Sequence, residues 1–224
     1  MSAPIFSICI PAHNATKHIG ECLESIRRQS YGNWEAIVVD DASEDGLETL
    51  LESGNYLDDG RVSLLRMDEN KGPYYCRKSA FQHSCGTHVM CLDADDALVD
   101  DDALSKLADI IVREEPDVVL FNATLDSEAL APWVDYGAIS LSPGFLDKHD
   151  VVRKYVSTYA LNNICFRVIR KDLLLPVKVK EAEGFFMCEE RLELAQVYLK
   201  AQSFFLLDEP LYYYRLNNSS TTHG

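Results

Sequence analysis

A chain of 224 residues, 47% of them hydrophobic, is long and apolar enough to bury a sizeable core, which excludes an intrinsically disordered segment. Its 36 Asp plus Glu against 21 Lys plus Arg leave a formal charge of −15, a surface that repels a phosphate backbone and so excludes nucleic acid as a partner. The seven cysteines are odd in number and contain no C-x-x-C pair, which argues against zinc sites and disulfides and for a reducing cytoplasm.

Met1 to Pro4 lead without a signal-peptide pattern into "IFSICIPA" (5–12), a β-rich run that ends as a buried strand does. "ATKHIGECLESIRRQS" (15–30) places Ile19, Cys22, Leu23 and Ile26 at helical spacing, with Thr16 as the expected N-cap. "WEAIVVDDAS" (34–43) predicts a second buried strand, and a polar helix follows over 44–52. "RVSLLRMD" (61–68) predicts a third strand and "NKGPYYCRKSAFQHSCG" (70–86) a turn into a helix. "HVMCLDADD" (88–96), "DDALSKLADIIVREE" (101–115) and "PDVVLFNAT" (116–124) predict a strand, a helix and a fifth strand. No apolar stretch approaches the ~20 residues of a membrane span.

This alternation over the first 125 residues predicts an α/β fold with an open, mainly parallel sheet and helices on both faces. The rhythm then changes. Residues 126–145 read as loop, 147–159 as a helix, "NICFRVI" (163–169) as a strand and "CEERLELAQVYLKAQ" (188–202) as a helix with Leu192, Leu194, Ala195 and Leu199 toward the core. The aromatic run "SFFLLDEPLYYYR" (203–215) follows. No linker separates residues 1–125 from 126–224, so one continuous unit is expected.

Three strands end in polar signatures: "IPAHN" (10–14), "VVDDAS" (38–43) and "LDADD" (92–96). Ligands of open α/β sheets bind beyond the carboxyl ends of the strands, so these ends predict one acidic pocket. G-x-G-x-x-G and G-x-x-x-x-G-K-[ST] are both missing, which removes the usual backbone cradles for phosphates. An acidic pocket that takes a phosphorylated ligand needs a hard divalent ion such as Mg²⁺ or Mn²⁺ between carboxylate and phosphate. Asp100, Asp101 and Asp102 read instead as the start of a helix, where Asp is favoured.

In order and spacing, "SICIPAHN", "VVDDASED", "NKGPYYCRKSA", "CLDADD" and "CEERLELAQVYLKAQSFFLLDEPLYYYR" resemble family-2 glycosyltransferases of the GT-A fold, over about residues 4–220. The resemblance implies a Rossmann-like open mixed sheet, with a nucleotide-sugar-binding half (1–125) and an acceptor-side half (126–224). It implies an inverting, metal-dependent transfer of a sugar from a UDP-sugar to a hydroxyl of a glycan or lipid-linked acceptor. Pro11, Ala12 and Asn14 match the loop around the nucleoside, with His13 where the family usually has tyrosine. Asp41 matches the acid that holds the base, and Lys71 and Arg77 fall in the turn-helix bordering the nucleotide. Asp93 and Ala94 match the segment near ribose and diphosphate, and Asp95 or Asp96 the ligand of Mn²⁺ or Mg²⁺.

The family's base is the Asp of an E-D pair. Here the pair is Glu189-Glu190, so Glu190 takes that place, with Glu189 and Glu183 as further candidates. Cell-surface polysaccharide synthesis at the cytoplasmic face of a membrane, with peripheral rather than transmembrane attachment, is what the resemblance implies for pathway and location. Two other readings stand beside it. One is a donor-binding but inactive scaffold; the other is a nucleotidyltransferase, which would usually bring a Gly-rich basic loop. A response-regulator receiver fails, because its acid pair follows the first strand and here the pair follows the second.

Overall fold

A computed structural model describes residues 5–174 and 189–216, except for the side chains of Glu189 and Glu190. The apolar runs form the centre of the sheet. β1 (Phe6–Ala12) and β2 (Trp34–Asp40) are buried almost throughout, as strands covered on both faces must be. β3 (Val62–Arg66) and β4 (His88–Cys91) complete a parallel group in the order β3-β2-β1-β4. The helices α1 (Ile19–Arg27), α2 (Leu47–Ser53) and α3 (Pro73–His83) connect them.

The short strand β5 (Ala97–Leu98) precedes α4 (Ala103–Glu114) and β6 (Val118–Thr124). Then come β7 (Gly144–Leu146), α5 (Lys148–Ser157), a 3₁₀ turn (Ile164–Phe166), β8 (Arg167–Arg170), α6 (Lys171–Leu174), α7 (Glu189–Lys200) and β9 (Phe204–Tyr213). Among the described residues the sheet runs β3-β2-β1-β4-β8-β6-β9-β5, with β7 on β9. β8 is antiparallel to both β4 and β6, so β6 and its parallel neighbour β9 point the same way as β1 to β4. The carboxyl ends of all six strands therefore lie along one edge, as the mixed, mainly parallel sheet requires. No helix among the described residues is long and apolar enough to cross a membrane.

Local expectations are corrected at several points. The first helix begins at Ile19 after His18 rather than at Thr16, whose amide donates to the Asp45 carboxylate at 2.9 Å. Strand β4 stops at Cys91, and "LDADD" is a turn leading to β5. Asp102 occupies the N-cap of α4 without a side-chain cap bond; its carboxylate accepts instead from Ser30 Oγ at 2.8 Å. On α7 the predicted stripe is half right: Leu194 is fully buried, whereas Leu192 and Leu199 are 49% and 65% exposed. The buried face is Leu194, Val197, Tyr198 and Ala201, which follows a helical repeat through Glu193 rather than Leu192.

Candidate functional site

The three polar strand ends do converge. The loop after β1 is tied to the loop after β2 by Asn14, whose φ of 50° lets its amide donate to Ser43 Oγ (2.9 Å) while its Oδ1 accepts from Glu44 N (3.0 Å). Pro11 is half-buried and Ala12 buried, and the Ala12 carbonyl accepts from Asp41 N at 2.8 Å. His13 is exposed, and its Nδ1 donates to the Asp41 carbonyl at 2.8 Å.

The two acids that end β2 have different tasks. Asp40 is fully buried, accepts from Ser43 N at 2.8 Å and pairs with Arg66, so it builds the loop. The Asp41 carboxylate accepts from the backbone amides of Lys71 and Gly72 at 2.8 and 2.7 Å. Gly72, at φ 87°, sits in the left-handed region that a side chain would strain. Pro73 then opens α3, a position where its missing N–H costs nothing. Asp41 thus anchors the turn-helix to the strand end. The Lys71 side chain lies at the surface, 3.3 Å from Glu69. Tyr74 is buried with its ring edge-on to the half-buried Tyr75, so it fills the core.

The crowded carboxylates of "LDADD" are neutralised separately. Arg77, buried on α3, donates to Asp93 Oδ1 at 2.8 Å. Asp93 and Asp95 are half-buried, whereas Ala94 and Asp96 are buried. Asp96 is 2% exposed, and accepts from Tyr212 Oη at 2.5 Å and from Arg215 N at 2.8 Å. Burial first, then the nearby Asp93 charge, push its pKa up to about 8, so it holds a proton at neutral pH. The sequence reading paired Asp96 with Asp95 as a metal ligand; the structure turns Asp96 into the core, leaving Asp93 and Asp95 on the open side.

Arg215 enters the site only through the fold. Its Nε donates to the Asp95 carbonyl at 2.8 Å and its guanidinium pairs with Glu21 at 2.7 Å, so β9 clamps the acidic turn from above. The signal was present in "LYYYR", but only the pairing of β5 with β9 brings it to residue 95. His18, half-buried nearby, is held below its usual pKa chiefly by burial and then by Arg215.

Glu190 and Glu189 open α7, but their side chains, and Glu183, lie outside the described residues. One turn on, the buried Glu193 meets Lys78 Nζ at 3.2 Å, which joins α7 to α3, the helix that also carries Arg77. Among the described residues no three His, Cys, Asp or Glu side chains form a closed metal cage. Asp93 and Asp95 do suit an ion of the Mg²⁺ type, which is commonly held by one or two carboxylates and completed by substrate phosphates.

A family profile described as Glycosyl transferase family 2 matches residues 7–174, three-quarters of the chain. The chain belongs to that family. This family-2 chain is 34% identical over 93 residues to the putative teichuronic acid biosynthesis glycosyltransferase TuaG of Bacillus subtilis, covering 42% of this chain and 36% of TuaG. Among solved structures it is similar to S. aureus TarS 1–349 in complex with UDP-GlcNAc, with TM-score 0.79 and 23% identity over 98% of this chain and 61% of that one. It is also similar to the mannosyltransferase PcManGT from Pyrobaculum calidifontis in complex with GDP-Man and Mn²⁺, with TM-score 0.71 and 16% identity over 98% of this chain and 59% of that one. The fold is therefore GT-A. The chain spans less than two thirds of the length of each of these three relatives.

Proposed function

We propose that this chain is an inverting glycosyltransferase that moves a sugar from a UDP-sugar to an acceptor hydroxyl in the synthesis of a cell-surface glycan. The observation that carries the reading is the meeting of the β1, β2 and β4 ends around Asp41, Arg77, Asp93 and Asp95, with only Asp93 and Asp95 of the acidic turn on the open side. TarS, with UDP-GlcNAc in its structure, supports a uridine donor, and TuaG, named for teichuronic acid biosynthesis, supports a polysaccharide product.

In this reading the Pro11–Asn14 loop and Asp41 hold the nucleoside, while Arg77, donating to Asp93 at 2.8 Å, orients it beside the ribose and diphosphate. Lys71 contributes mainly through its backbone. Asp95, with Asp93 beside it, would hold Mn²⁺ or Mg²⁺, and such an ion would offset negative charge on the diphosphate. Glu190 takes the proton from the acceptor hydroxyl as that oxygen attacks the anomeric carbon from the face opposite the diphosphate, and the C–O bond to the diphosphate breaks. Such positioned bases are worth roughly 10²–10⁴-fold in rate. Residues 1–125 supply the donor site and residues 126–224 the acceptor side.

The test is calorimetric titration of UDP with Mn²⁺ and with EDTA, on the parent chain, Asp95→Ala and Glu190→Gln. The expected pattern is metal-dependent binding that Asp95→Ala removes and Glu190→Gln retains, with transfer lost in both. Absence of UDP binding under every condition refutes the assignment.

A further inference from the structure

On the same sheet edge as the acidic turn lies a cavity of about 340 Å³ lined by none of the residues assigned above to the donor. Trp133, Tyr159 and Phe166 give it aromatic walls, and Asp135 and Asn163 contribute the polar groups. Trp133 is 44% and Tyr159 82% exposed, so both rings present open surface at the cavity.

The walls are built in advance. Asn122, fully buried at the bulge in β6, grips residue 134 from both sides: its Nδ2 donates to the Val134 carbonyl (2.7 Å) and its Oδ1 accepts from Val134 N (3.0 Å). The Trp133 amide donates to the Ala123 carbonyl at 2.7 Å, and Tyr136 Oη donates to the Phe121 carbonyl at 3.0 Å. The indole leans on Tyr214 at 4.9 Å and on Phe166 at 5.6 Å. Across the cavity the buried Arg167 donates to the carbonyls of Leu161 and Asn163, which sets the opposite wall. A rigid loop of this kind does not have to be ordered when a ligand arrives.

The position is also specific. Phe166 packs against Tyr212 at 5.2 Å, and Tyr212 Oη holds Asp96 of the acidic turn. On the other side Arg191, the residue after Glu190, lies 5.4 Å over the Tyr159 ring. The cavity therefore bridges the donor turn and the start of α7.

We propose that this cavity binds one neutral sugar ring of the acceptor, with its apolar face on Trp133 and Tyr159 and its hydroxyls on Asp135 and Asn163. Three features select that class. The volume, at the small end of ligand pockets, suits one ring. Flat aromatic walls match the C–H face of a pyranose, and a carboxylate with an amide matches its hydroxyls. The Asp135 charge disfavours a phosphate or a second nucleotide. The role as acceptor site rests on the transferase reading above; the sugar site itself does not.

The chain has two tryptophans, and Trp34 is buried under Arg61, so a ligand-induced change in indole fluorescence reports Trp133. The probes are methyl glycosides of glucose, galactose, mannose, rhamnose and N-acetylglucosamine, each titrated into the millimolar range, with UDP as the competing class. The expected result is a saturable change with at least one glycoside, weakened about tenfold or more in Tyr159→Ala, a substitution at so exposed a position that folding is spared. Calorimetric UDP affinity stays unchanged in that variant. No saturable response to any glycoside, an equal response in Tyr159→Ala, or a response at Trp133 to UDP alone overturns the proposal. Failure of UDP binding in calorimetry, with the glycoside response intact, refutes the transferase reading and leaves the sugar site standing.

Discussion

Replacing Asp96 by Asn removes a proton equilibrium from the middle of the protein. The folded Asp96 titrates at about 8 because it is buried beside Asp93, whereas an unfolded Asp titrates near ~3.9. Between those values the folded chain keeps a proton that the unfolded chain has released, so stability falls as pH rises, by about 1.4 kcal/mol per pH unit. Below the unfolded value both states hold the proton, and above about 8 both have lost it, so the slope vanishes at either end. From pH 5 to pH 8 this single group takes away about 3–4 kcal/mol. Asn has nearly the shape of the protonated acid, can still accept from Arg215 N and can donate to the Tyr212 oxygen, and does not titrate. Urea denaturation of the parent chain and Asp96→Asn in EDTA at pH 5, 6, 7 and 8 reads the difference directly. The variant is expected to be close to the parent at pH 5 and to gain about 3–4 kcal/mol relative to it by pH 8. Parallel profiles would refute a protonated Asp96 in the folded state.

Two further outcomes check the packing. Leu194→Ala is expected to cost about 2–5 kcal/mol in urea melts and Leu199→Ala no more than about 0.5 kcal/mol; equal costs refute the face assigned to α7. A methyl group at Gly86 would lie 2.5 Å from both the Ile5 carbonyl and Ser7 Oγ, so Gly86→Ala is expected to destabilise by about 1–3 kcal/mol, and an unchanged midpoint would contradict the tight turn before β4.

The pattern of apolar runs and polar strand ends was sufficient for the sheet, for its mainly parallel sense and for a crevice built from residues 10–14, 38–43 and 92–96. Those features are local: a strand covered on both faces must be a continuous apolar run, and a strand-end loop carries its chemistry in the next few residues. What the sequence could not rank was three aspartates within four positions. Asp95 and Asp96 are adjacent and chemically identical, yet one lies on the open side and the other under Tyr212 and Arg215, residues more than 110 positions away. The same distance hid Arg215 as the clamp of the acidic turn. The choice of exposed face on α7 likewise depended on Glu193 finding Lys78 across the crevice. Sequence alone determined which segments bury and where the carboxylates lie along the chain. Only the tertiary structure decided that Asp96 is the one buried and pushed up in pKa, because the burial and its partners come from strands that meet only after folding.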